Sequence, residues 1–222
     1  MTTAHHPTVS DAVLAQLAKL ATPTIANALD DVGFPGVLGG LAQVVPGTRF
    51  VGRAVTVRHA VGNVGDYTSD DFKVGHMIDA AGHGDVIVVD MGGHAISTWG
   101  GLATLAASLK GIGGLVVDGG VRDKEEMLEL KLPVFSRHVT PLTGRTRLKL
   151  ESIGDVVVCA GVRVHPGDVI AGDGSGVVCI PAADAERVAD LASRYASDDE
   201  AAAAELRNGL SFREAMARFG RI

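Results

Sequence analysis

Aromatic side chains make up only 4% of this chain, with one tryptophan, Trp99, among 222 residues. A core of this kind must be built from Ala, Val, Leu and Ile. Cysteine is nearly absent: Cys159 and Cys179 are the two present, which excludes a disulfide framework. Both sit in apolar runs and read as buried thiols of a reducing compartment. Positive charge is in deficit, with 20 Lys and Arg against 26 Asp and Glu and a pI of about 5.7. A nucleic-acid-binding domain is expected above pI ~9, and basic residues do not cluster with aromatics here. No apolar stretch approaches the ~18 residues of a membrane span. His5 and His6 are not followed by a hydrophobic segment, so no secretory leader is expected and the expected address is cytoplasmic. G-x-x-x-x-G-K-[ST] is missing, as are a G-x-G-x-x-G between strand and helix and an H-E-x-x-H; P-loop, dinucleotide and zinc-helix readings fall with them.

What is present is glycine, 29 residues in all, where ~7% is usual, in a chain 46% hydrophobic and 21% charged that can bury a real core. Ser10 is a good N-cap for a helix carrying Val13, Leu14, Leu17 and Leu20, with a restart from Thr24 to Leu29. Residues 34–47 read as loop and Phe50 to His59 as a strand. Asp66 to Ala81 reads as a polar helix. Asp85 to Asp90 is a buried-strand run, followed by a loop to Trp99. Leu102, Leu105, Ala106 and Leu109 then recur at helical spacing as one helix face, closed by Gly111. Leu115 to Asp118 is the next strand, Gly119-Gly120-Val121 a turn, Lys124 to Leu130 a helix, and Pro133 begins a third strand. This alternation predicts a parallel sheet. Beyond Arg147, short strands at 156–159, 162–164, 169–170 and 177–180, broken by turn sequences, predict an antiparallel unit. Pro181 suits the first position of a helix, and Ala201 to Phe219 reads as a further helix. The sum is α/β, a single domain.

Chemistry in such a sheet gathers outside the carboxyl ends of strands. Two loops qualify, Met91 to Gly101 and Asp118 to Asp123, and they converge if their strands are neighbours. Gly100-Gly101 would open a helix whose first N–H groups lack partners and favour an anion. Arg122 is a planar carboxylate binder and Asp123 a hard oxygen ligand. Plainer readings stand beside these. Glycine pairs make turns, Asp123 suits a cap for the helix at Lys124 with Arg122 as its surface partner, and Asp90 and Asp118 simply end strands. His76, His83 and His94 have no ligand spacing.

Trp99-Gly100-Gly101-Leu102-Ala103, a spacer, and Asp118-Gly119-Gly120-Val121-Arg122-Asp123 resemble the 4-hydroxy-4-methyl-2-oxoglutarate aldolase family. That family includes the regulator of ribonuclease activity proteins and was long labelled dimethylmenaquinone methyltransferase. The likeness runs from about Gly52 to Ala182 and takes in Val158 to Gly161, Pro166 to Ile170 and Gly176 to Pro181. It implies a swivelling β/β/α-type fold with a central parallel or mixed sheet and flanking helices. One domain would cover residues 1–222, with an N-terminal helical segment at 10–29, a family core at 52–182 and C-terminal helices at 182–219. It further implies a homotrimer, or a hexamer of two trimers, with sites between subunits.

By the same resemblance Gly100, Gly101, Leu102 and Ala103 match the substrate-carboxylate loop. Arg122 matches the substrate-binding, enolate-stabilising arginine, and Asp123 the direct ligand of Mg²⁺ or Mn²⁺. Asp199 or Glu200 of a neighbouring subunit is the nearest match to a completing acid. Gly101 departs from the pattern, since aldolases of the family usually carry Asp or Glu there; a looser hold on the metal is the expectation. The activity implied is divalent-metal-dependent cleavage of a carbon–carbon bond in a short 2-oxo acid, by retro-aldol reaction or oxaloacetate decarboxylation. The rival is a non-catalytic, protein-binding regulator of an RNA-processing enzyme on the same fold. A methyltransferase is disfavoured because no glycine-rich nucleotide loop supports it.

Overall fold

The structure is a computed structural model that describes residues 8–219; His5 and His6, on which the reading of the N-terminus rests, lie outside them. Its elements run α1 (Asp11–Leu17), α2 (Thr22–Asp31), β1 (Ala42–Gln43), β2 (Phe50–Val61), a 3₁₀ turn (Ser69–Asp71), α3 (Val74–Ala80), β3 (Val86–Asp90) and β4 (Ser97–Trp99). They continue with α4 (Gly101–Lys110), β5 (Gly114–Val121), α5 (Lys124–Leu130), β6 (Val134–Val139) and β7 (Leu148–Ile153). Last come β8 (Val157–Cys159), β9 (Val162–Val164), β10 (Val169–Asp173), β11 (Gly176–Ile180), a 3₁₀ turn (Ala182–Asp184), α6 (Ala185–Arg207) and α7 (Phe212–Phe219).

The sheet is ordered β1-β6-β5-β3-β2-β10-β11, with β4 added to β5 and β7 to β2. β2, β3, β5 and β6 are parallel neighbours, as the alternating pattern predicts. β2 is long because it serves two partners along one edge, β10 through Phe50 to Arg53 and β7 through Val57 to Val61, both antiparallel. The mixed α/β fold of the sequence reading is therefore present. The C-terminal strands are not one separate unit, however. β10 and β11 extend the main sheet, while β8 and β9 form their own hairpin.

Alternation explains why β3 is buried along Val86 to Val89. Ile87 and Val89 join Val57, Leu115 and Val117 beneath α3, α4 and α5; Val86 and Val88 join Val116 and Phe135 beneath the β8–β9 hairpin. A strand covered on both faces reads as a continuous apolar run. A further cluster packs α1, α2 and α6 on β10 and β11.

Four local readings are corrected, and the outward turn of one helix face is added. Gly119-Gly120-Val121 is strand, not turn: β5 continues through it because β4 and β6 flank it, and a Cβ on Gly120 would lie 2.7 Å from the Ile96 carbonyl oxygen. Glycine here answers close approach rather than chain reversal. Asp66 to Ala81 is not one helix; a left-handed Lys73 separates the 3₁₀ turn from α3. Pro181 stands before the 3₁₀ turn, in extended backbone, rather than inside a helix. The C-terminal helix does not restart near Ala201, since α6 runs unbroken to Arg207. The stripe on α4 does not face the core: Leu102 and Leu109 are 84% and 81% exposed, and Gly101, Thr104 and Ala107 are the buried positions. Small residues let α4 lie close to the sheet, which turns its leucines outward.

Asp90 and Asp118 do more than end strands. Asp118, buried in β5, accepts Arg137 Nε at 2.6 Å and the Ala160 N–H at 2.7 Å; Asp90 accepts the Val158 N–H at 3.2 Å. The two carboxylates pin the β8–β9 hairpin to the parallel strands. Asp118→Ala leaves a half-buried guanidinium and a backbone N–H without their acceptor. A loss of about 2–3 kcal/mol is expected, read from urea unfolding; a loss well below 1 kcal/mol would show that the clamp carries no stability.

Candidate functional site

β3 and β5 are adjacent, so the loops leaving their carboxyl ends do converge. Between them β4 delivers Trp99 to the start of α4. Trp99, almost fully buried, donates from Nε1 to Thr104 Oγ1 at 3.0 Å, and that hydroxyl donates to the Gly100 carbonyl at 2.9 Å. The only tryptophan thus fixes the first turn of α4. From the other side, the Arg122 N–H donates to the Trp99 carbonyl at 2.9 Å, setting the Arg122–Asp123 pair against that turn.

Asp123 occupies the left-handed region at φ 56°, ψ 47°, a conformation Asp tolerates better than most residues. It precedes α5 without capping it. Its Oδ2 instead accepts the Gly101 N–H at 3.0 Å, across the gap between α4 and α5. The cap reading from sequence names the right type of interaction on the wrong helix. Arg122 Nε lies 3.4 Å from the same Oδ2, both side chains partly exposed. A Cβ on Gly100 would lie 2.5 Å from Asp123 Oδ2 and 3.0 Å from Arg122 Nε, so only glycine leaves them room.

Gly101 is not among the residues with positive φ. Its requirement is space: a Cβ there would fall on the carboxylate of Glu126. Glu126 stands in the first turn of α5, three residues after Asp123. The space beside Gly101 is thus filled by a carboxylate arriving from another helix.

These groups line a cleft of about 520 Å³ that holds all six of Gly100, Gly101, Leu102, Ala103, Arg122 and Asp123. Phe72, Val74 and Ile78 give it an apolar wall, and Ser97, Thr98 and Thr143 add hydroxyls. Asp199 and Glu200 lie exposed on α6, and neither lines the cleft of its own chain. His76, His83 and His94 are exposed and do not line it. Cys159 and Cys179 are buried and unpaired, and burial pushes both thiols up, so neither is a ready nucleophile.

Sequence reasoning missed Glu126, whose place in the cleft depends on how α5 approaches α4. It also missed the apolar wall and His59, which come from α3, the segment leading into it and β2, with no motif of their own.

A hard divalent cation takes oxygen ligands, often one or two carboxylates with waters and substrate supplying the rest. Asp123, with the space that Gly100 and Gly101 leave clear, suits such an ion. Among the described residues no group of three or more His, Cys, Asp and Glu converges on one point.

Behind the cleft His59 is buried, with Nε2 3.3 Å from Thr98 Oγ1 and 3.4 Å from Met77 Sδ; Nδ1 has no partner. Burial pushes its pKa down from 6.5 to about 4. The unfolded chain therefore takes up this proton first as pH falls. Stability is full above about 6.5 and is lost progressively toward 4, by up to about 3 kcal/mol. Urea unfolding of the parent and of His59→Gln across this window should show that extra loss in the parent alone; equal slopes would contradict it.

The RraA-like family, Aldolase/RraA, matches residues 8–179. A provisionally named 4-hydroxy-4-methyl-2-oxoglutarate aldolase of Halalkalibacterium halodurans is 33% identical over 189 residues, covering 85% of each chain. The crystal structure of an uncharacterized Pseudomonas syringae protein superposes with a TM-score of 0.86 at 31% identity, over 95% of this chain and 99% of that one. A Streptomyces coelicolor protein, described as an unusual member of the RNase ES inhibitor RraA protein family, shares the fold with a TM-score of 0.77 at 24% identity, over 87% and 96%. Among the described residues no helix is long and apolar enough to cross a membrane. The match over most of its length makes this chain a member of the RraA-like family, in which some proteins are named as aldolases and others as ribonuclease inhibitors.

Proposed function

We propose that this protein is a divalent-metal-dependent lyase that cleaves a carbon–carbon bond of a short 2-oxo acid, as a pyruvate aldolase or oxaloacetate decarboxylase. The observation that carries this reading is Asp123 on the amino end of α4 beside Arg122, at the mouth of a cleft sized for a small acid. Bound there by Asp123, Mg²⁺ or Mn²⁺ would supply Lewis-acid stabilisation of negative charge on the substrate.

The residues of the chain supply the rest. The N–H of Gly101 is already engaged by Asp123. The amides of Leu102 and Ala103 follow it in the first turn, where helix geometry gives them no acceptor, and they suit the substrate carboxylate. Arg122 offers a planar fork to the oxygen on which charge develops as the bond breaks, where stabilisation counts most. Phe72, Val74 and Ile78 exclude water from one side of the cleft. Cleavage releases CO₂ from oxaloacetate, or a second carbonyl compound in the retro-aldol case, and pyruvate leaves after its enolate carbon takes a proton from water.

Self-association belongs to the same reading. Leu102, Leu105 and Leu109 form an exposed apolar stripe on α4, next to the cleft. Exposed apolar patches on a protein of this size commonly mark interfaces, and a homotrimer, or a hexamer of two trimers, would cover this one. A neighbouring chain's Asp199 or Glu200 would then be available to close the site.

The second reading, a non-catalytic regulator of an RNA-processing enzyme, draws on the ribonuclease inhibitors in the family and on the formal charge of −6, which suits a basic partner.

Pyruvate release from oxaloacetate with Mn²⁺ and with chelator separates the two. Turnover is expected with the metal and should vanish with chelator. Arg122→Lys keeps the charge but loses the fork; kcat should fall about 10–100-fold with a smaller change in KM. No metal-dependent turnover at all would favour the regulator. For assembly, sedimentation velocity should show Leu109→Glu as smaller particles than the parent. A monomeric parent would remove the interface.

A further inference from the structure

We propose that the cleft selects a 4-hydroxy-2-oxo acid whose C4 carries an uncharged alkyl tail, seated between α3 and α4, rather than one with a second carboxylate. The proposal rests on the lyase reading above and names the substrate class of that site. Two observations carry it. The first is the make-up of the walls. The charged groups come from the 122–126 segment, whereas Phe72, Val74, Gly75 and Ile78 join Ala103 and Ala106 of α4 in a wall without charge. At about 520 Å³ the cavity lies in the range of sites that enclose ligands much larger than a pyruvyl group. The second observation is Gly75. It lies within α3, where glycine gives up stability relative to alanine. Neither usual reason for it applies, since its φ is not positive and a Cβ there would meet no atom within 4 Å. Local packing does not require this glycine, and its missing side chain leaves the α3 side of the cleft open.

The charge balance decides between an alkyl tail and a carboxylate. Among the described residues that line the cleft Arg122 is the one cation, and Asp123 and Glu126 are acids. Arg122 and the amides of Leu102 and Ala103 are committed to the pyruvyl half. Lys110, at the far end of α4, does not line the cleft; it donates to the carbonyls of Ile78 and Asp79 at 2.7 and 2.8 Å, which holds α3 to α4. A second carboxylate would therefore be desolvated without a partner, which is costly. Methylene groups against Val74, Ile78 and Ala106 gain apolar burial instead. In the reaction the 4-hydroxyl gives up its proton to water, C4 becomes a carbonyl carbon and the C3–C4 bond breaks. The electron pair of that bond stays on the pyruvyl half as the enolate. C3 then takes a proton from water, and an aliphatic aldehyde leaves with pyruvate.

The test compares kcat/KM for pyruvate release, with Mn²⁺ present, from 4-hydroxy-2-oxohexanoate and 4-hydroxy-2-oxoglutarate, with oxaloacetate alongside. The first leaves propanal and the second glyoxylate. The parent should prefer the hexanoate by about tenfold or more, the scale of discrimination an apolar pocket achieves. Gly75→Leu crowds the tail and should cut that preference about tenfold through a loss on the hexanoate. Gly75→Lys sets a cation beside the tail and should cut it through a gain on the glutarate. Leucine and lysine both favour helix over glycine, and both side chains start in open space, so circular dichroism should show the variants folded. The readout is a ratio, which a general loss of activity does not move. Calorimetric titration of 5-methyl-2-oxohexanoate, which has no 4-hydroxyl and is not cleaved, should show tighter binding than the isosteric 2-oxoglutarate. A parent that prefers the glutarate in either measurement, cleaves neither hydroxy acid, or keeps its preference in both variants would overturn the alkyl tail. Continued turnover of oxaloacetate would then leave the lyase reading standing. No pyruvate release from any of the three would overturn both.

Discussion

One hydrogen bond joins the parts of this molecule that matter for its chemistry: the Gly101 N–H donating to Asp123 Oδ2 at 3.0 Å. It crosses from the amino end of one helix to the residue before another. To make it, Asp123 takes left-handed backbone and Gly100 gives up its side chain. The positive end of the α4 dipole favours the carboxylate there. Arg122 is drawn in by the same carboxylate and tied by its own N–H to the Trp99 carbonyl. An acid held this firmly beside an open cleft is positioned before any ligand arrives.

The scaffold behind that bond is stiff for identifiable reasons. The parallel strands are covered on both faces, by helices on one and by the β8–β9 hairpin on the other. Carboxylates recur as fasteners: Asp118 and Asp90 hold the hairpin, and Asp173 accepts the Thr22 N–H and hydroxyl at the start of α2. Buried Asp168 accepts the N–H groups of His165 and Ala182, tying β10 to the segment that leads into α6. Charge-assisted bonds to backbone N–H groups are stronger than neutral ones. They let short strands and glycine-rich loops keep fixed positions without disulfides or many aromatic rings.

Much of this was legible in the sequence, and the exceptions have physical causes. Val86 to Val89 and Val177 to Ile180 announced strands because burial on both faces leaves unbroken apolar runs. The converging loops were legible because adjacent parallel strands put them there. The leucines of α4 announced a helix but not the side they turn, since the helix packs on the sheet through Gly101, Thr104 and Ala107. Periodicity tells that a stripe will be covered and not by what. Gly119-Gly120 misled, since a glycine demanded by close strand approach looks like one demanded by a turn. Within the site, Arg122 and Asp123 stood out, whereas Glu126 did not, because its significance depends on the approach of α5 to α4. His59 carried no signal in sequence; only the fold buries it behind Thr98.

The central claim is that the amino end of α4, Asp123 and Arg122 form one site for a divalent cation and a small oxo acid. A crystal structure of the protein grown with Mn²⁺ and oxalate, a stable mimic of the pyruvate enolate, tests it most directly. The account predicts anomalous manganese density against Asp123, with oxalate chelating the metal and reaching Arg122 and the amides of Leu102 and Ala103. Manganese bound elsewhere, or a cleft without either at saturating concentrations of both, would contradict it.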